Sequence, residues 1–112
     1  MSSEEYEQII TEIIASSGTA RSCMIQAIWE AREGRFEEVN RLIGEADESL
    51  NEAHNIQTDL LQKEVCGNHT AVTLLMVHAQ DHLMTAITVK ELATELIKEI
   101  QYRVQKEAKS VE

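Results

Sequence analysis

The chain has 112 residues, 43% of them apolar, with no proline and only four aromatic side chains. This suits one compact domain over residues 1–112, built from Ile, Leu, Val, Met and Ala as packed helices are, and leaves little for a sandwich or barrel. A formal charge of −10 argues against nucleic acid, whose phosphates demand Lys and Arg, and Cys23 and Cys66 share no metal or disulfide-framework spacing. The N-terminus has no basic-then-apolar leader, and no apolar run reaches the ~18 residues of a membrane span, so a cytoplasmic protein without membrane insertion is expected.

In chain order, Tyr6, Ile9, Ile10, Ile13 and Ile14 recur at helical spacing, and the same face resumes with Ala20, Met24, Ala27, Ile28 and Ala31. One long helix is predicted across Ser16-Ser17-Gly18, with a kink or break there as the alternative. Ser2 with Glu5 fits a capping box at its start, and Gly34 fits a left-handed residue at its end. A second period runs Phe36, Val39, Ile43, Ala46, Leu50, Ala53 and Leu60 and closes at Gly67. The third helix is predicted to start near Asn68 or Thr70, both able to cap, and to continue through Val72, Leu75, Ala79, Leu83, Ala86, Ala93, Ile97, Ile100 and Val104. Lys98, Arg103, Lys106 and Lys109 crowd its end, where positive charge complements the carbonyl pole. Short connections reverse the chain each time, so the fold class is all-α, an antiparallel three-helix bundle.

At about 100° per residue, the third helix carries an apolar arc of about 200°, from Leu75 and Ala86 through Ala79, Val72, Leu83, Met76 and Ile87 to Met84 and Val77. Contact with two neighbouring helices accounts for such width, while Leu74 and Val89 outside the arc point to a subunit contact. The remaining arc holds His78, His82, Thr85, Asp81 and Thr88. Between Val65 and Val89 there is no Lys, Arg or Glu, and Asp81 is the one acidic residue. An ordinary wet face is written in Lys and Glu, as around Glu45, Glu48 and Glu52, so this one reads as a candidate site, although a plain solvated surface stays open.

A neutral imidazole is a good nucleophile near pH 7 and forms a labile P–N bond, so His78 suits a phosphoryl carrier, with His82 one turn on as a donor and Thr85 as a weaker one. The i, i+4 pair also has the spacing of a zinc-binding H-E-x-x-H helix, but Ala79 replaces its Glu, and His54 and His69 are weak third ligands. Asp81 is a lone carboxylate among apolar residues. If symmetry gathered copies of it, a hard cation such as Mg2+ would be expected there.

The run Val77-His78-Ala79-Gln80-Asp81-His82-Leu83-Met84-Thr85 closely resembles the active-site helix of the enzyme IIA component of the lactose/cellobiose class of the bacterial sugar phosphotransferase system. Ser17-Gly18-Thr19-Ala20-Arg21-Ser22 and Leu50-Asn51-Glu52-Ala53-His54-Asn55-Ile56-Gln57-Thr58 extend the resemblance over nearly the whole chain. It implies a homotrimer forming a nine-helix bundle. It also implies a phosphotransferase component in which His78 takes phosphate from the phosphocarrier HPr and passes it to a cysteine of enzyme IIB, which serves the membrane component IIC in uptake of a β-linked disaccharide. By the same motif, Asp81 from three subunits would hold a divalent cation, and Gln80 and His82 belong to the site. His54 and Gln57 match the family as structural or docking positions. The competing expectation is a helical adaptor that binds partners without catalysis.

Overall fold

The computed structural model describes residues 1–111, and among these the regular structure is three α-helices: α1 (Ser3–Arg32), α2 (Phe36–Val65) and α3 (Leu74–Val111). The bundle is elongated, 63 Å along its longest axis.

Helix α1 is continuous, as predicted. Ser2 accepts the Glu5 N–H on its Oγ at 3.1 Å, and the helix runs unbroken past Ser16-Ser17-Gly18. Both α1 and α2 end in the same motif. Arg35 N–H bonds to Glu30 O and Gly34 N–H to Ala31 O, both at 3.0 Å. Asn68 N–H bonds to Lys63 O at 2.8 Å and Gly67 N–H to Glu64 O at 3.1 Å. This pairing requires a left-handed residue after the last helical turn, and the two glycines supply it with φ of +75° and +90°. A Cβ at Gly67 would meet nothing within 4 Å, so Gly67→Ala costs only backbone strain. We expect about 1–2 kcal/mol less stability, read as a lower melting temperature.

The start of α3 departs from the sequence reading. Neither Asn68 nor Thr70 caps it. Thr73 does, accepting the Met76 N–H at 3.2 Å, so the link from Cys66 to Thr73 is longer than expected and Val72 lies outside the helix. Three residues able to cap precede Leu74, and the one used is the one whose hydroxyl also meets Tyr6 of α1. A second correction concerns the wide apolar arc. Met76, Ala79, Leu83 and Ala86 are buried, but Leu75, Val77 and Met84 are exposed. Helix α1 packs along both partners, whereas α2 and α3 touch little, so only the stripe of α3 turned toward α1 is covered. Lys90 pairs with Asp47 across that thin α2/α3 boundary.

The core joins Ile10, Ile13, Met24 and Ala27 of α1 to Val39, Leu42, Ala46 and Leu50 of α2 and to Leu83, Ala93 and Ile97 of α3. Ser17 is buried among them with its hydroxyl unpartnered. No helix among the described residues is long and apolar enough to cross a membrane.

Candidate functional site

His78 and His82 come together through helix geometry alone. Residues four apart stand one above the other on one face, and here the two Nε2 atoms lie 3.2 Å apart, with ring centroids at 4.6 Å and planes nearly perpendicular at 87°. One Nε2–H must therefore donate to the other Nε2, which fixes complementary tautomers on the two rings. His78 is exposed and His82 half-buried, so the deeper ring backs the outer one. Asp81, Thr85 and Thr88 are exposed on the same side, and Asp81 makes no ion pair among the described residues.

Other sequence candidates lie elsewhere. Gln80 is half-buried and donates to the Met76 sulfur at 3.5 Å. Two residues along a helix is about 200° of rotation, so Gln80 faces away from the imidazole pair. There it lines a cleft of about 250 Å³ with Gln57, Leu60, Leu61 and Val72. His54 is exposed on α2, so it is no buried structural histidine; Gln57, half-buried, has its Oε1 unpartnered. His69 Nδ1 lies 2.9 Å from Glu64 Oε2 in the α2 to α3 region. Within one chain, no three His, Cys, Asp or Glu side chains of the described residues gather as a metal set.

Both cysteines are free thiols. Burial, and next the Glu45 carboxylate, push the Cys23 thiol up against the opposing pull of Arg41, so it is a poor nucleophile. Sequence reasoning missed two residues near the site, Thr73 and Tyr6. Thr73 was passed over in favour of the earlier Asn68 and Thr70, and Tyr6 looked like a plain apolar position.

Beyond the imidazole pair, α3 also exposes large apolar side chains: Leu74 is 86% exposed, Leu92 67% and Met84 49%. Fold and site together define an all-α bundle that presents a histidine pair on the exposed side of its third helix, with Asp81 the one charged side chain beside it. The chain belongs to the family described as the lactose/cellobiose-specific IIA subunit of the sugar phosphotransferase system, which matches residues 8–101. It is 51% identical over 94 residues to the lichenan-specific phosphotransferase enzyme IIA component of Bacillus subtilis, covering 84% of this chain and 86% of that protein. The crystal structure of the cellobiose-specific enzyme IIA of Bacillus anthracis superposes with a TM-score of 0.86 at 43% identity, over 95% of each chain. The Escherichia coli IIA(Chitobiose), solved in complex with HPr, superposes with a TM-score of 0.74 at 36% identity, over 87% of this chain and 94% of that one.

Proposed function

We propose that this phosphotransferase-system subunit is a cytoplasmic phosphoryl relay that accepts the phosphoryl group of phospho-HPr on His78 and delivers it to a cysteine of enzyme IIB. The observation that carries the reading is the exposed His78 ring held 3.2 Å from a second imidazole. In the receiving step the His78 Nε2 lone pair forms a P–N bond as the bond from phosphorus to HPr breaks. In the delivering step the enzyme IIB thiolate attacks phosphorus and the imidazole leaves. Transfer spreads charge over the phosphoryl oxygens, and a fixed donor beside them lowers that barrier. A nucleophilic His78 Nε2 requires the tautomer pair in which His82 carries the Nε2–H, and that group is the one placed to follow the incoming oxygens. The complex of the E. coli relative with HPr supports the choice of donor. Relatives named for lichenan, cellobiose and chitobiose share the family, which fits a subunit that never reads the β-linked sugar while the membrane component IIC does.

Incubation with labelled phospho-HPr tests the relay: acid-labile, base-stable label on this chain supports it, and absence of label in the folded protein leaves only the adaptor reading. His82→Ala should keep the acceptor and slow transfer by roughly a hundred- to a thousandfold, as loss of one stabilising donor does. Rapid-quench labelling checks this, and complete loss of label in a folded His82 variant would reverse the assigned roles.

The reading extends to a homotrimer with a nine-helix bundle. Leu74, Val77, Asp81, Met84 and Thr88 recur at steps of three and four on the exposed side of α3, the stripe a coiled seam between copies uses. One Asp81 cannot hold a cation, but three around an axis would supply hard oxygen donors suited to Mg2+. The cation would neutralise the gathered carboxylates and stabilise the assembly, with no part in the transfer. Gln80, on the far face of α3, would serve the site only indirectly.

A further inference from the structure

Resting on the relay reading, we propose that Tyr6 is a positioning residue for His78, acting through the cap of α3. Tyr6 stands in the first turns of α1, its ring packed against the core, and it precedes the span 8–101 shared with the family. Its own turn is fixed, because Tyr6 N–H bonds to Ser2 O at 3.0 Å beside the Ser2 cap. Across the bundle, Tyr6 Oη donates to the Ala71 carbonyl at 2.7 Å and lies 2.8 Å from Thr73 Oγ1.

The protons in this cluster can be placed one by one. Thr73 Oγ1 already accepts the Met76 N–H, so its hydroxyl proton is left to donate to Tyr6 Oη, whose proton goes on to Ala71 O. The result is a continuous series from Met76 N–H through Thr73 and Tyr6 to Ala71 C=O, each member satisfied. Val77 N–H closes on Thr73 O at 3.0 Å, and His78 follows immediately. A helix end held by nothing else frays, because its first N–H groups have no partners within the helix. Here fraying would carry the His78 backbone while His82, a turn deeper, stayed in place, and the 3.2 Å pairing would open. Tyr6 thus ties the reactive turn to the capped first turn of α1, more than sixty residues away in sequence.

The test uses the full chain with Tyr6→Phe, Thr73→Val and Thr73→Ser, read by amide hydrogen exchange and by transfer from phospho-HPr. One hydrogen bond changes a local opening equilibrium by about fivefold. We expect Tyr6→Phe and Thr73→Val to speed exchange at Met76, Val77 and His78 by roughly five- to tenfold while Leu83 and Ala93 keep their protection. The maximal transfer rate should fall roughly three- to tenfold with KM for phospho-HPr nearly constant, and Thr73→Ser, which keeps the hydroxyl, should behave as wild type. Unchanged exchange and rate in Tyr6→Phe would overturn the proposal. So would loosening spread evenly along α3, which marks general destabilisation. If the wild type itself took no label, the relay reading would fall and the positioning role with it; a labelled wild type with an indifferent Tyr6→Phe sinks the positioning role alone.

Discussion

On the proposed relay, His78→Ala should take no label from phospho-HPr. The substitution removes the nucleophile, and nothing nearby replaces it: the His82 ring is half-buried behind it, His54 and His69 stand on or beyond α2, and the Cys23 thiol is buried and held protonated. Loss of a covalent acceptor costs roughly a thousandfold or more, below the detection of a labelling assay. The fold should not change, because His78 is exposed and alanine is the best helix former. Circular dichroism and a melt matched to wild type would therefore accompany the empty lane. Label persisting at full stoichiometry in the variant would move the acceptor to another residue and end the present assignment.

On the proposed trimer, Asp81→Leu should keep the assembly, or tighten it, while abolishing the proposed metal binding. Carboxylates gathered to about 5 Å around an axis repel by roughly 3 kcal/mol per pair at an effective dielectric of 20 unless a cation sits among them. Leucine removes that repulsion and buries roughly 1.5–3 kcal/mol worth of apolar side chain per subunit. Leu74, Val77 and Met84 would then continue the seam above and below without interruption. Sedimentation equilibrium with elemental analysis of the same samples checks both halves. Metal retained at full occupancy refutes the ligand role of Asp81, and a monomeric variant refutes the seam.

Much of this was legible in the residues. The isoleucine and alanine periods drew α1 and α2 closely, and Gly34 and Gly67 announced their own ends, because a positive φ has few other tenants. The histidine pair followed from the spacing of four, which is a property of any helix. What the residues did not disclose was non-local. Thr73 rather than Asn68 or Thr70 caps α3, and what distinguishes it is the contact with Tyr6, a partner no local window contains. The periodicity of α3 overstated its burial for a related reason: how many helices cover an apolar arc is set by the packing, and α3 lies chiefly against α1. Leu42 and Ser17 joined the core unannounced, one because its period was already filled, the other because a hydroxyl reads as surface.

Helix α1 alone touches both of its companions along their length. Mutational freedom is therefore unequal among three helices of similar composition. A change at Ile13 or Met24, each wholly enclosed, is felt by two interfaces at once, while α2 and α3 each answer chiefly to one. A chain that must keep a reactive helix in register while meeting different partners thus has the most room to diverge on the outer sides of α2 and α3, and the least on α1, which itself carries no reactive group.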